Sequence, residues 1–268
     1  MQLAILLFRF ISIAVKVIDI KRASADANLV KQVQREKQAL ESVTPHDHIV
    51  KYFQSCKDAT NLYFVLEYVS HGELFQYIHN GLSESRSWYI TEQVSSALTH
   101  LHQQKWIHRD IKANNVGIRS TGDCVLYDFG WSKCLSGPLF TNTRLGLGHY
   151  CSPEVVDGKP HSFSTDWWSL GVLVSEMLDG SPPFGYRSET LASDISSGHF
   201  LLSNGSYEVK SFVTSLLRID PEQRLDSLSV WLHPWLQRRN QTSVEEARSF
   251  FKFHTPENLN VTSKFKNW

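Results

Sequence analysis

The residues best suited to chemistry lie in the stretch WIHRDIKANNVGI, residues 106–118. It contains the sequence His-Arg-Asp, and Asn115 follows five positions after Asp110. A carboxylate can accept the proton of a hydroxyl, and carboxylate and amide oxygens are the hard ligands that Mg²⁺ prefers. The spacing is typical of a loop that positions a hydroxyl for attack on a phosphate.

Other residues of suitable chemistry stand before and after this loop. Lys16 lies in AVK and Glu36 lies in QREKQAL. Asp128 begins DFG, and Ser-Pro-Glu at 152–154 closes the segment that DFG opens. Each motif alone is weak, because a strand lysine is usually a solvated strand end and a helix glutamate usually lies on the surface. Their order and spacing together carry the functional prediction.

The elements that must position these residues fall into two groups. Three stretches rich in β-branched and aromatic residues predict strands: FISIAVKVIDI through Ile20, HIVKYFQS at 48–55 and LYFVLEYV at 62–69. The first of these strands carries Lys16. Ser24 as an N-cap predicts a helix to about Ser42, and this helix carries Glu36.

The second half of the chain has mainly helical patterns. GELFQYIH predicts a short helix, and Ser83 to Gln103 predicts a long amphipathic one. Residues 104–163 predict loops, and long loops in a compact domain are usually either functional or disordered. Further helices are predicted at 165–178, 188–197, 207–217, 227–236 and 243–251. Strands first and helices later predict an α+β protein with two lobes and a cleft between them.

Composition excludes several classes of protein. The chain has 268 residues and a formal net charge of zero, so it lacks the electrostatic footprint for nucleic acid or an anionic membrane. Its four cysteines have neither metal-ligand nor redox spacing, which favours reduced thiols and an intracellular location, in the cytoplasm or the nucleus. The apolar start, Leu3 to Ile13, lacks a basic segment before it, so we expect a buried strand there rather than a targeting signal.

Together these motifs resemble the eukaryotic protein kinase family, serine/threonine type, from about residue 11 to 236. TDWWSLG at 165–171 and DPEQR, which contains Arg224, add to the match. AVKVIDIKRA, GELF and HRDIK look most like the checkpoint kinases of the calmodulin-kinase-like group. The resemblance implies a bilobal fold with an incomplete N-lobe at 1–69, a helical C-lobe at 70–237, and a C-terminal helix and tail at 238–268.

The resemblance also implies a reaction. The γ-phosphate of ATP would pass to a hydroxyl of a protein substrate. Asp110 would accept and orient that hydroxyl, and Lys112 would steady the γ-phosphate. Lys16, held by an ion pair with Glu36, would bind the α- and β-phosphates.

The remaining contacts with ATP and Mg²⁺ are implied by the same resemblance. Asn115 and Asp128 would be the ligands of Mg²⁺. The residues around the nucleoside would be Ala14 beside adenine, Leu66 as gatekeeper, Glu67 to Val69 as the hinge backbone, and Glu73 at the ribose.

The resemblance further implies residues that support the site and residues that regulate it. Glu154 and Arg224 would form an ion pair, and Asp166 would hold the backbone of the catalytic loop. Thr143 would be the target of an upstream kinase, with Thr141 as the alternative acceptor. Arg109 would pair with the resulting phosphate.

The sequence also departs from the family pattern around the nucleotide. No glycine precedes Gly72, so the Gly-rich phosphate loop is missing. Gly117 replaces a large aliphatic residue that forms the floor beneath adenine, and Tyr127 replaces a smaller one. Tyr127 either refills the space left at Gly117 or blocks the site. Leu147 stands where a threonine hydroxyl usually bridges the catalytic aspartate and lysine.

These departures leave three interpretations open. The first is an active kinase, because Lys16, Glu36, Asp110, Asn115 and Asp128 are all present. The second is a pseudokinase that acts as a binding or scaffold protein. The third is a shortened version of an active kinase. Past the family core, we expect a packed helix and then a mobile polar tail.

Overall fold

A computed structural model describes residues 2–8, 11–143, 146–185, 189–238 and 240–256. A strand-rich part precedes a larger helical part, which confirms the predicted α+β architecture. The polar tail that we expect after the last helix, residues 257–268, lies outside the described residues.

The strand-rich part is built on one antiparallel sheet. Its strands are β1 Gln2–Phe8, β2 Ile11–Asp19, β3 Tyr52–Lys57 and β4 Asn61–Glu67. Their order within the described residues is β1-β2-β4-β3. The register pairs Ala14 with Leu66 and Lys16 with Phe64, so the predicted adenine contacts Ala14 and Leu66 lie side by side. The third strand begins four residues later than HIVKYFQS predicts, because Ile49 and Val50 bond to the other part of the molecule around Leu126.

Two helices follow β2, where the sequence predicts one. Helix α1 is Ile20–Ser24 and helix α2 is Ala27–Val43. The predicted N-cap was wrong, since Ser24 ends α1 and Asp26 caps α2 by accepting a hydrogen bond from the Asn28 N–H at 2.8 Å. A carboxylate two residues further on serves the same purpose, because it satisfies N–H groups that have no partner inside the helix.

The helical part contains most of the core. Its helices are α3 Glu84–Gln103, α4 Pro153–Val156, α5 Ser164–Asp179, α6 Leu191–Ser197, α7 Tyr207–Leu216, α8 Ser229–Leu232, α9 Pro234–Gln237 and α10 Gln241–Phe253. Helix α5 is buried on all sides and includes the fully buried Trp167 and Trp168. A helix that is buried on every side belongs at the centre of a large core, so α5 is the support on which the surrounding loops rest.

Short elements interrupt the loop-rich stretch between α3 and α4. They are strands β5 Trp106–Ile107, β6 Val116–Ile118, β7 Cys124–Leu126 and β8 Lys133–Cys134. The predicted helix GELFQYIH is a single 3₁₀ turn at Leu74–Tyr77. The predicted helix at 227–236 divides into α8 and α9 because Pro234 disfavours helical backbone at the residue before it. Among the described residues, every helix is too short or too polar to cross a lipid bilayer.

Helix α10 packs on the helical part through one aromatic face. Phe251 is fully buried, with its ring centroid 5.4 Å from that of Tyr77. Arg248 on the same helix pairs with Asp123 at 2.8 Å. The Lys252 carbonyl accepts a hydrogen bond from the His71 ring at 3.1 Å, close to the connection between the two parts. The helix therefore packs against the helical part, as expected from the sequence.

Replacing Phe251 by alanine tests this packing. We expect Phe251→Ala to lower the free energy of unfolding by about 3–5 kcal/mol, because it opens a cavity under α10. The matched control is Phe253→Ala on the same helix, where the side chain is 66% exposed. The control should change stability by no more than about 0.5 kcal/mol. Urea denaturation measures both, and equal losses for the two variants would contradict the packing role.

Candidate active site

The loop that contains His-Arg-Asp is anchored to the centre of the helical part. The Asp166 carboxylate, at the start of α5, accepts hydrogen bonds from the backbone N–H groups of His108 and Arg109 at 2.9 and 2.8 Å. The His102 ring lies 2.8 Å from the same carboxylate. Burial raises the pKa of Asp166, but these hydrogen bonds outweigh it and hold the pKa below its usual value. A charged carboxylate thus fixes the backbone on which Asp110 stands.

Asp110 is held from two sides. Lys112 donates hydrogen bonds to both carboxylate oxygens, at 3.0 and 2.8 Å. The Asn115 amide donates to the Asp110 backbone carbonyl at 2.7 Å and to its carboxylate at 2.8 Å. Asn115 is buried, whereas Asp110 is partly exposed to the cleft. The carboxylate has a fixed orientation and an open side.

A hairpin brings Asn115 and Asp128 to the same place. Strands β6 and β7 are antiparallel with Val116 opposite Leu126, so Asn115 and Tyr127 stand at the same end of the pair. The Tyr127 N–H donates to the Asn115 carbonyl at 3.0 Å, and Asp128 follows directly. Asp128 has a positive φ of 62°, a conformation that turns the chain sharply after the strand.

The two parts of the molecule meet at Lys16. The Lys16 ammonium forms an ion pair with Glu36 of α2 and lies 3.9 Å from the Asp128 carboxylate. Burial raises the pKa of Glu36, and the attraction of Lys16 opposes that shift. A strand, a helix and the DFG turn therefore converge on one cation.

A cleft of about 300 Å³ lies between the two parts. Its walls include every residue that the sequence predicts around the nucleotide except Asn115: Ala14, Lys16, Glu36, Leu66, Glu67, Val69, Glu73 and Asp128. Tyr127, Leu40, Val50 and Phe129 complete the apolar lining. The cleft thus has an apolar end at Ala14 and Leu66 and a charged end at Lys16 and Asp128.

Two polar contacts at this cleft were not predicted. Arg119 binds both oxygens of Glu67, at 2.6 and 2.8 Å, so the Glu67 side chain is already paired. The Asn114 amide donates to Glu73 at 2.8 Å. Arg119 and Glu67 are 52 positions apart, and the sequence carries no local signal that pairs them.

A second cleft, of about 270 Å³, adjoins Asp110 on its open side. Lys112, Trp131, Leu147 and Tyr150 are among its lining residues. Leu147 is 54% exposed, and its apolar side chain offers no hydrogen bond to Asp110 or Lys112. This cleft has room for a hydroxyl-bearing side chain next to the carboxylate.

Two contacts anchor the segment that contributes Leu147 and Tyr150 to the second cleft. Arg224 binds Glu154 through two hydrogen bonds, at 2.8 and 3.0 Å, in a buried pair. Tyr150 donates its hydroxyl to the buried carboxylate of Glu176 and stands 3.3 Å from the Ala113 N–H. The segment that DFG opens is therefore tied to α5 at its far end.

The two candidate threonines differ in accessibility. Thr141 is 3% exposed and accepts a hydrogen bond from Lys133 at 2.6 Å. Thr143 is half-buried and lies 3.3 Å from the same ammonium. Burial lowers the pKa of Arg109 to about 10, and the nearby charge of Arg35 adds to this. Burial and the nearby charges of Arg109 and Arg35 also lower the pKa of Lys133, so three cations lie close together beside this segment.

Comparison with known proteins decides the family. The sequence model described as the protein kinase domain matches residues 10–236. The chain belongs to the protein kinase domain family. It is 33% identical over 217 residues to Aurora kinase C of Mus musculus, an alignment that covers 80% of this chain and 78% of the relative. The kinase domain predicted from the motifs is thereby confirmed.

Two further relatives are longer than this kinase domain. The chain is 34% identical over 223 residues to an Aurora kinase of Schizosaccharomyces pombe, covering 81% of the chain and 62% of the relative. It is 32% identical over 208 residues to the SNF1-related protein kinase catalytic subunit alpha KIN12 of Arabidopsis thaliana. That alignment covers 76% of this chain and 42% of the relative. The chain therefore spans less than two thirds of the length of these two relatives.

The buried Glu176 predicts a pH dependence of stability. Burial raises its pKa from 4.5 to about 7. Between these values the folded chain holds more protons at this site than the unfolded chain, so the free energy of unfolding falls as pH rises. The contribution is complete below pH 4.5 and is lost through pH 7, for a total of roughly 3 kcal/mol.

Glu176→Gln removes this titration and should flatten the pH dependence over that window. Urea denaturation at pH 5, 6, 7 and 8, on both proteins, measures the difference. Parallel curves for the two proteins would show that the carboxyl titrates at its ordinary pKa.

Proposed function

We propose that this kinase domain is a serine/threonine protein kinase that transfers the γ-phosphate of ATP to a hydroxyl of a protein substrate. One observation carries the proposal. The Lys16–Glu36 ion pair lies 3.9 Å from Asp128 at the charged end of one cleft, and Asp110 opens on the next. A pseudokinase is not favoured, because all the charged groups that phosphoryl transfer needs are assembled.

Asp110 receives and orients the attacking hydroxyl in this mechanism. Its carboxylate is pre-oriented by Lys112 and Asn115, so no reorganisation is required when a hydroxyl arrives. Lys112 also places a positive charge where the transferred phosphoryl group gains negative charge. Phosphoryl transfer depends on such positioning and charge stabilisation more than on covalent help.

The donor set fits Mg²⁺. The Asp128 carboxylate is about one-third exposed at the cleft, and the Asn115 amide keeps its oxygen available because its nitrogen makes the hydrogen bonds to Asp110. Both are hard oxygen donors. Bound Mg²⁺ would neutralise phosphate charge, and Lys16 would add a cation from the opposite wall.

The apolar end of the first cleft supports adenine binding. Glu67 is engaged through its N–H with the Lys51 carbonyl at 2.9 Å and through its side chain with Arg119. Among the described residues, no group accepts the Val69 N–H, which leaves the hinge a donor for the base. Ala14 and Leu66 flank that position, and Glu73 stands where the ribose would be.

Several finer assignments belong to the same proposal. The kinase acts inside the cell, in the cytoplasm or the nucleus, and is activated by an upstream kinase at Thr143, which is more accessible than Thr141. The division into an N-lobe to residue 69, a C-lobe to 237 and a C-terminal helix and tail remains a prediction. Membership of the checkpoint group also stays a prediction, since the relatives above are named Aurora and SNF1-related kinases.

Binding of Mg-ATP tests the nucleotide site directly. Isothermal titration of the folded chain should show micromolar binding, and Asp128→Ala should abolish it because the metal loses a charged ligand. Asp47→Ala, which removes an exposed carboxylate outside the clefts, is the control and should bind as the parent does. Absence of binding up to millimolar ATP would overturn the proposal for this chain.

Replacing Leu147 by threonine should raise the kcat of the kinase. Leu147→Thr returns a hydroxyl to the wall beside Asp110 and Lys112, and we expect kcat to rise about tenfold, the worth of one net hydrogen bond. The KM for ATP should stay constant, because the first cleft is untouched. Leu139→Thr, at another exposed leucine of the same segment, is the control. Equal kcat values for Leu147→Thr and the control would contradict this role.

A further inference from the structure

Backbone conformation does not explain why residue 117 is a glycine. It lies in the middle of β6, paired with Val125 of β7 in a regular antiparallel register. Its φ is outside the left-handed region, where only glycine is comfortable. A strand interior ordinarily disfavours glycine, so another constraint must act on this position.

That constraint is the ring of Tyr127. A Cβ atom at Gly117 would lie 2.7 Å from Cε1 of Tyr127 and 2.8 Å from Cγ1 of Val69, both closer than carbon atoms can approach. The ring cannot move away freely, because the Tyr127 hydroxyl donates a hydrogen bond to the Asn114 carbonyl at 2.7 Å. Gly117 and Tyr127 are therefore complementary in volume.

The ring lies between Gly117 and the cleft. Tyr127 lines the cleft with Ala14, Leu66 and Val69, whereas Gly117 lies behind the ring and does not reach the surface of the cleft. Burial raises the pKa of Tyr127, so the phenol remains neutral and its hydroxyl remains a donor. The surface offered to a ligand at this end is aromatic and apolar.

We propose that the ring of Tyr127 is the floor of the purine site, and that Gly117 is the partner that makes room for it. The adenine of ATP stacks between this ring and Ala14. Tyr127 is thereby a specificity-determining residue for a planar purine base, since aromatic faces favour offset stacking over contact with a flexible chain. The inference rests on the proposed function, because it assigns the base of the nucleotide that the kinase uses.

A double-mutant cycle tests the pair. Tyr127→Thr removes the floor and should weaken Mg-ATP binding by about tenfold, as expected for one lost aromatic contact. Gly117→Leu should weaken it at least as much, because the new side chain drives the ring into the cleft. The double variant, Gly117→Leu with Tyr127→Thr, replaces an aromatic floor by an aliphatic one and should bind within about threefold of the parent. Such non-additivity is the signature of two residues in direct contact.

Two measurements distinguish a Tyr127 ring that contacts the purine base from one that only supports the fold. Isothermal titration with Mg-tripolyphosphate, which has no base, should give the same affinity for the parent and Tyr127→Thr. Thermal unfolding without ligand should show a lower Tm for Gly117→Leu and recovery in the double variant, which tests the pair even if the single variant folds poorly. Tyr127→Phe keeps the ring and should bind Mg-ATP within about threefold of the parent.

The possible results discriminate between the two proposals. One result would overturn the floor and leave the kinase proposal intact. In that result the parent binds Mg-ATP, and the loss of affinity in the double variant equals the product of the losses in the two single variants. Tighter binding by Tyr127→Thr would identify the ring as an obstacle and would also overturn the floor. No binding by the folded parent would overturn the proposed function and the purine floor with it.

Discussion

The buried carboxylate of Asp166 is the constraint on which the rest of the candidate active site depends. It is fully buried, yet it stays ionised because two backbone N–H groups and the His102 ring satisfy it. An uncompensated charge at this depth would cost several kcal/mol, so the loop at His108 and Arg109 has little freedom to leave. The position of Asp110 follows from that restriction, because it is the next residue along the chain.

The same helix carries the other supports of the site. Trp168 of α5 lies beneath Arg224, whose guanidinium binds Glu154 and thereby closes the segment that DFG opens. Glu176, two turns further along, holds Tyr150 under the second cleft. One buried helix thus positions both the loop that carries Asp110 and the wall of the second cleft. Preorganisation of this kind is what phosphoryl transfer requires, since positioning and charge stabilisation contribute most of its catalysis.

The cleft proposed to bind the nucleotide shows how a fold accommodates a departure from its family pattern. The sequence alone left two outcomes for Tyr127, refilling the space at Gly117 or blocking the site. The ring fills the space beside Gly117 and still leaves a cleft of about 300 Å³ beside Lys16. The small residue Gly117 on β6 is therefore matched by a large aromatic one, Tyr127, directly after β7. Interiors are packed closely enough that such changes must occur in pairs.

Much of the fold and of the candidate site could be predicted from the sequence alone. Lys16, Glu36, Asp110, Asn115 and Asp128 could be singled out from their types, order and spacing, and the α+β architecture followed from strand patterns that precede helical ones. The start of α2 was harder to predict, because Ser24 and Asp26 are both favourable N-cap residues. The backbone conformation between β2 and α2 decides which of them caps the helix.

Tertiary structure alone decided the pairings of distant side chains. Arg119 and Glu67 are 52 positions apart, and the contact between Gly117 and Tyr127 arises only when β6 and β7 align. Local propensity acts over a few residues, whereas a side-chain contact depends on distances that exist only after the strands have paired and the core has closed.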